Sequence, residues 1–112
     1  MNIEMPSSSR ENLYVGVRNA ADPTGATVSF AFTASDDIEP DSGDYTAGAW
    51  VSGQSSVEVD GVYVLGWTAY ILVSGSGGGG TVTLAEGEYV VWVKFHDLTQ
   101  SVVRNAGKLK VT

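Results

Sequence analysis

The chain has 112 residues, a formal net charge of −7 at pH 7 and no cysteine. The lack of cysteine excludes disulfides, thiolate metal sites and a cysteine nucleophile. The acidic balance argues against nucleic acid as a partner, because nucleic-acid binding needs a basic face. No apolar run approaches the ~20 residues of a membrane-spanning helix, and no basic region followed by an apolar one opens the sequence, so we expect neither a membrane partner nor export by a signal peptide.

Charge is unevenly distributed along the sequence. No lysine or arginine occurs between Arg18 and Lys94, whereas ten acidic residues lie in that interval. The last stretch, 94–112, holds four basic residues and one acid. We expect the molecule to be acidic over its loops and mildly basic along its final strand. The acids are interpreted as keeping a small domain soluble, and a head-to-tail electrostatic contact between copies is the alternative.

The first part of the sequence predicts an arm followed by a strand. Residues 1–12 are polar, with Pro6 and three serines, and are predicted to form an N-terminal arm. Residues 13–18 alternate, which predicts a first strand with Leu13 facing inward and Tyr14 facing outward. We expect a single domain that spans residues 13–112.

The next segments predict a core strand, a loop and a short strand. Residues 27–33 alternate between apolar and mostly polar side chains, the pattern of a strand with one buried face. Residues 35–44 are acidic and contain proline and glycine, which indicates a loop. Residues 45–51 predict a short strand whose Trp50 packs into the core, as a tryptophan on the third strand of an immunoglobulin-like sandwich does.

The middle of the chain predicts a hairpin and a glycine-rich loop. Asp60-Gly61 between two valines is a hairpin signal. Residues 62–73 are too long and too apolar on both faces for one half-exposed strand, so we predict two strands with a bulge or bend at Gly66. Residues 74–80 are only serine and glycine and predict a flexible loop.

The clearest fold signal is the spacing of Leu84, Gly87 and Tyr89. It is typical of a tyrosine corner, in which a tyrosine at the start of the sixth strand of a β-sandwich bonds its hydroxyl to the chain a few residues upstream. Leu84 is predicted to plug the core before the turn, and Gly87 to supply the turn.

A strand follows this corner, and alternation predicts its two faces. The residues predicted to face the core are Tyr89, Val91, Val93 and Phe95. Trp92 and Lys94 are predicted to face outward, because a one-residue slip would bury Lys94 without a partner. Two turns at 96–101 and 105–107 then lead to a last strand, 108–112, with Lys108 and Lys110 facing outward.

Together these patterns predict an all-β fold of about seven short strands. We expect an immunoglobulin- or fibronectin-like β-sandwich. A small antiparallel barrel is the alternative, and the tyrosine corner favours the sandwich.

The sequence offers weak candidates for catalysis or ion binding. The only histidine, His96, precedes Asp97, but neighbouring side chains on a strand point to opposite faces and do not form a triad. The glycine run 77–80 lacks the following lysine and helix of a phosphate loop. The acidic loop 36–44 lacks the glycine and glutamate register of an EF-hand, which favours a solvated loop, and a calcium site at the sandwich edge is the alternative. We therefore predict no catalytic residue, no cofactor and no metal.

Outward-facing aromatic residues are the remaining functional signal. Exposed aromatics on a sandwich indicate a protein interface or a sugar-stacking platform, unless another part of the chain covers them. We expect Trp92 to be covered by another chain, or failing that by the arm 1–12. The candidate interface residues are Trp92, Tyr14, Lys94, Lys108 and Lys110.

Residues 81–112 resemble a group of small virion proteins encoded among the head and tail genes of tailed phages that infect actinobacteria. The shared features are a Tyr89-x-Val91-Trp92-Val93 strand, an aspartate-containing turn, Val103-Arg104, Ala106-Gly107 and a closing Leu-Lys-Val-Thr. Ile3-Glu4-x-Pro6 and the 28–33 strand are similar as well. The turn 98–101 departs from the pattern, because it lacks prolines.

The resemblance implies an immunoglobulin-like structural module that decorates the capsid, as a minor capsid protein, or that lies at the head–tail connector. It implies a non-enzymatic protein of the virion, assembled in the host cytoplasm. Its partners would be other virion proteins, such as major capsid or connector proteins, with many copies and self-association. A carbohydrate-binding or other adhesion-type sandwich, which needs a row of coplanar surface aromatics, is the alternative.

Overall fold

The computed structural model describes residues 2–19, 21–97 and 100–112, which form ten β-strands and one turn of 3-10 helix, Ser42–Asp44. The strands are β1 (Asn2–Met5), β2 (Arg10–Val17), β3 (Ser29–Thr33), β4 (Thr46–Ala47), β5 (Ala49–Trp50), β6 (Ser55–Val59), β7 (Val62–Ser74), β8 (Val82–Thr83), β9 (Gly87–Asp97) and β10 (Gln100–Val111). No α-helix occurs in these ranges, which confirms the all-β class. The expected count of about seven strands was too low.

The strands form two sheets. The first sheet has the order β1-β10-β9-β3-β4. The second has the order β2-β7-β5, and β6 and β8 also pair with β7. Both sheets are mixed, because β1 runs parallel to β10 and β8 runs parallel to β7, whereas the other pairs are antiparallel.

The two sheets bury their apolar faces in one shared core, an arrangement compatible with a β-sandwich. The alternation predicted for β9 is confirmed: Val91, Val93 and Phe95 are fully buried, and Tyr89 packs against the core. On the second sheet, β2 contributes its alternate residues from Leu13, and β7 contributes Ala69, Ile71 and Val73. The core therefore forms where period-2 patterns of both sheets meet.

The predicted arm 1–12 is wrong for its described part. Asn2 to Met5 form β1, which pairs in parallel with residues 108–111 of β10. Met5 is buried in the core, and its carbonyl accepts a 2.9 Å bond from the amide of Thr112. Residues 10–12 belong to β2. The short segment has no long apolar alternation, so main-chain pairing with β10 and one buried methionine hold it in place.

The segment predicted as one strand, 45–51, is divided between the sheets. Its first half, β4, pairs with β3, and its second half, β5, pairs with β7. Gly48 lies at the switch, where an added Cβ would stand 2.6 Å from the carbonyl oxygen of Tyr70. Trp50 packs edge-on against Phe95, which confirms its predicted core contact, although from the second sheet.

The predicted hairpin at Asp60-Gly61 is confirmed. Both residues have positive φ, 53° and 79°, as a type I′ turn requires, and β6 and β7 pair on either side. The predicted division at Gly66 is wrong, because β7 is one strand of 13 residues. It stays continuous by changing partners, from β6 at residues 62–66 to β2 at residues 67–74.

The predicted turn at 105–107 is also wrong. β10 runs without a break for 12 residues and contains a bulge between Asn105 and Gly107. The side chain of Asn105 accepts a 3.0 Å bond from the amide of Gly107, whose φ is 121°. A glycine with positive φ allows a bulge here, so the strand pairs with β9 on both sides of it. The other predicted turn, 96–101, is wrong for its described residues, because 96–97 end β9 and 100–101 begin β10. Residues 98 and 99 lie outside the described ranges.

Candidate interaction surface

The tyrosine corner sets the position of β9, which carries two of the candidate interface residues. The hydroxyl of Tyr89 donates a 2.8 Å hydrogen bond to the carbonyl of Ala85, four residues upstream. Leu84 lies in the core, and Gly87 has a φ of 153°. The bond that the spacing predicted is therefore present, and it fixes which β9 side chains face away from the core.

Four of the five candidate residues share the outer face of the first sheet. Trp92 and Lys94 lie on β9, and side chains opposite each other on an antiparallel pair project to the same side. In the β9–β10 register, Lys108 stands opposite Val90 and Lys110 stands opposite Glu88. The outward orientation of Lys108 and Lys110 is thus confirmed.

Trp92 faces outward as predicted, but it is not bare. It is half-buried, and its indole Nε1 donates a 2.8 Å hydrogen bond to Oγ1 of Thr33 on β3. Val90 and Ala31, which neighbour it on the same face, are also buried. The expected cover by residues 1–12 is wrong for the described residues 2–5, because β1 extends the sheet beside β10.

Lys94 is held by a neighbouring aromatic ring. Its Nζ lies 5.0 Å from the centroid of the Tyr45 ring, within the range of a cation–π interaction. Burial, with the nearby carboxylates of Glu39 and Asp44, raises the pKa of Tyr45 above its ordinary value. No local sequence pattern indicates this pair, because Tyr45 lies 49 positions upstream of Lys94.

The outer face carries mixed charge, which corrects the expectation of a basic final strand. Lys110 stands in register between Glu88 of β9 and Glu4 of β1. Lys108 lines a cleft of about 290 Å³ together with Asp36 and Asp37. The lysines of β10 are therefore flanked by acids contributed by other segments.

Tyr14 lies on the other side of the molecule. It is 53% exposed on β2, at a position opposite Tyr70 of β7. The two ring centroids are 5.7 Å apart and the ring planes are inclined by 37°. The structure therefore does not bring Tyr14 together with Trp92 and the lysines.

A cleft of about 690 Å³ lies between the end of β2, β6 and the bulge of β10. Its lining includes Arg18, Arg104 and Glu58, so it combines guanidinium and carboxylate groups. His96 is exposed and does not line it. Within the described ranges, no group of three or more histidine or acidic residues is placed to hold a metal ion.

The sequence prediction missed one exposed apolar surface. In the described part of the chain, the three most exposed large apolar side chains are Tyr63, Leu65 and Val62, at 73%, 65% and 60%. All three lie on the first half of β7. The sequence signal is a run of residues that is apolar on both faces, a pattern that also predicts two shorter strands.

Comparison with known proteins adds no relative. No protein-family model, curated protein or solved structure matched the chain. No helix in the described ranges is long and apolar enough to cross a membrane.

Proposed function

We propose that this chain is a non-enzymatic structural module of a tailed-phage particle. It is an immunoglobulin-like domain that attaches to the capsid, as a decoration or minor capsid protein, or to the head–tail connector region. Its partners are other virion proteins, with which it assembles in many copies. The sequence pattern of residues 81–112, which resembles small virion proteins of actinobacterial phages, motivates the virion assignment.

The strand order is the observation that best supports an immunoglobulin-like domain. In variable-type immunoglobulin domains one sheet contains strands B, E and D, and the other contains G, F, C and C′. In the same order, β2, β7 and β5 correspond to strands B, E and D. The strands β10, β9, β3 and β4 correspond to G, F, C and C′. The corner tyrosine lies at the start of β9, which is the place of strand F.

One feature of the core departs from that pattern. The core tryptophan of an immunoglobulin domain lies on strand C, whereas Trp50 lies on β5, in the place of strand D. Its ring still reaches Phe95 across the core, and its Nε1 donates a 2.9 Å bond to the carbonyl of Ala26. The same type of contact is thus made from the opposite sheet.

The outer face of the first sheet suits a lattice of protein neighbours. It combines a partly exposed tryptophan with lysines and acids, and tryptophan is a frequent anchor of protein interfaces. Rim charges of both signs give orientation and specificity more than affinity. We assign the particle contact to this face, with Trp92, Lys94, Lys108 and Lys110.

Rebinding to particles that lack the protein tests the proposal. Purified wild-type protein should bind particles produced by a phage whose copy of this gene is deleted. A Lys108→Glu, Lys110→Glu variant should bind much less. An Arg10→Glu, Arg18→Glu variant makes the same charge change at the first residue of β2 and at the residue directly after β2, and it should bind normally. Failure of the wild type to bind contradicts the proposal. An equal loss of particle binding in both variants would show that the contact does not lie on the outer face of the first sheet.

The second candidate, a carbohydrate-binding module, rests on Tyr14 and Tyr70. The two rings are neighbours on the second sheet, but their 37° inclination differs from the coplanar row that sugar stacking favours. A glycan array separates the candidates. Binding that Tyr14→Ala abolishes would favour the sugar-binding function.

A further inference from the structure

One loop contacts the outer face of the first sheet at both of its ends. Thr33 is the last residue of β3 and Tyr45 directly precedes β4, so these two residues bound the acidic β3–β4 loop. Thr33 accepts the 2.8 Å hydrogen bond from the indole of Trp92. The ring centroid of Tyr45 lies 5.0 Å from Nζ of Lys94. Two of the residues assigned to the particle contact are therefore held by the two ends of the same loop.

The strand register explains how Tyr45 reaches Lys94 across β3. Lys94 stands opposite Ser29 of β3, and Ser29 stands opposite Ala47 of β4. Tyr45 lies two positions before Ala47 and therefore shares its face of the sheet. The nearest β3 residues on this face, Ser29 and Ala31, have small side chains. They leave space above β3 in which the Tyr45 ring and the Lys94 side chain meet.

The contact with Tyr45 changes what Lys94 can contribute to an interface. A long lysine side chain samples many rotamers, and fixing one of them on binding costs free energy. The cation–π contact already restricts Lys94 in the free protein. Less freedom is then lost on binding, which is the general advantage of a preorganised contact.

We propose that Tyr45 is a positioning residue of the particle contact, because its ring holds the ammonium group of Lys94 on the outer face before a partner binds. This role rests on the proposed function, in which Lys94 contacts another virion protein. Tyr45 acts through Lys94 and needs no contact of its own with that partner. Thr33 holds Trp92 at the other end of the same loop.

Variants of Tyr45 test this role by their binding to particles that lack the protein. Tyr45→Phe keeps the ring and should bind as well as the wild type. Tyr45→Leu keeps an apolar side chain without a ring, and it should raise the dissociation constant roughly three- to tenfold. Tyr63→Leu makes the same change at a 73% exposed position of β7 and should bind normally. Thermal unfolding of each variant establishes that it is folded.

A double-mutant cycle on particle binding separates positioning from a general loss of stability. Lys94→Met removes the ammonium group that the Tyr45 ring holds. In this background Tyr45→Leu should therefore have no further effect on the dissociation constant. A substitution that only loosened the fold would weaken binding with either residue at position 94.

Nuclear magnetic resonance of the isolated chain measures the contact without particles. Protons above the face of an aromatic ring are shifted upfield by its ring current. The methylene protons next to Nζ of Lys94 should be shifted upfield in the wild type and in Tyr45→Phe. They should return to the usual lysine position in Tyr45→Leu.

The outcomes separate the role of Tyr45 from the proposed function. Failure of the wild type to bind particles overturns the proposed function and the positioning role with it. If the wild type binds, three results overturn the positioning role alone: normal binding by Tyr45→Leu, an equal loss in Tyr63→Leu, or an undiminished loss in the Lys94→Met background. A wild type without the upfield shift of the Lys94 protons overturns it as well.

Discussion

Trp92 and Thr33 are joined by a 2.8 Å hydrogen bond from the indole Nε1 to the hydroxyl Oγ1, between neighbouring strands of the first sheet. The bond satisfies the one polar atom of the indole and keeps the ring against the outer face. Trp92 is therefore part of the stability of the single chain, and only its remaining exposed surface is available to a partner.

A double-mutant cycle tests this bond. Trp92→Phe and Thr33→Val should each lower the free energy of unfolding, with about 1 kcal/mol of the loss coming from the shared bond. The double variant should lose less than the sum, because both changes remove the same interaction. Urea unfolding of the four proteins gives the values. Strictly additive losses would show that the bond contributes nothing.

The tyrosine corner gives a second prediction. Tyr89→Phe should lower the free energy of unfolding by about 1 kcal/mol, because it removes the bond to the Ala85 carbonyl. Tyr63→Phe deletes the same atom at a 73% exposed position and serves as the control. The measurement is urea unfolding at low protein concentration. Equal midpoints for Tyr89→Phe and the wild type would contradict a stabilising corner.

The change of sheet at Gly48 gives a third prediction. Gly48→Ala should destabilise the protein by roughly 1–3 kcal/mol, because its Cβ would press on the Tyr70 carbonyl and the Phe30 ring. Gly43→Ala adds the same methyl group where no atom lies within 4 Å, and it should be nearly neutral. Thermal unfolding of both variants checks the difference. Similar melting temperatures would contradict the close approach at Gly48.

The environment of Tyr45 gives a prediction about pH. Its pKa is raised from 10.0 by burial and by Glu39 and Asp44, so the unfolded chain loses this proton first as pH rises. The stability associated with the neutral phenol is therefore complete below the unfolded pKa and is lost as pH rises through the folded one. Between about pH 9 and about pH 11 the wild type should lose stability more steeply than Tyr45→Phe. Parallel curves in urea unfolding would contradict the raised pKa.

Local alternation was sufficient to predict the core faces of β2, β3 and β9. Each turns alternate residues toward the shared core, so a period of two places Leu13, Phe30 and Val91 inward without knowledge of their partners. The corner spacing was also informative, because the Tyr89 bond closes over only four residues.

Features that depend on distant partners were not predictable in this way. β1 exists because β10 offers an edge more than 100 positions later, and its own sequence has little alternation. β7 remains one strand because three other strands continue its pairing beyond Gly66. The contact of Lys94 with Tyr45 and the bond of Trp92 with Thr33 likewise join segments far apart in sequence. These features depend on pairing between distant segments, and a local sequence pattern carries no information about such partners.

Quantitative mass spectrometry of purified phage particles tests the central claim most directly. The measurement is the copy number of this chain relative to the major capsid protein, after free protein has been removed by density-gradient centrifugation. The proposed function predicts that the chain stays with the particles in a fixed ratio, with many copies per particle. Recovery of the chain only in the soluble fraction of infected cells, with none on the particles, would contradict it.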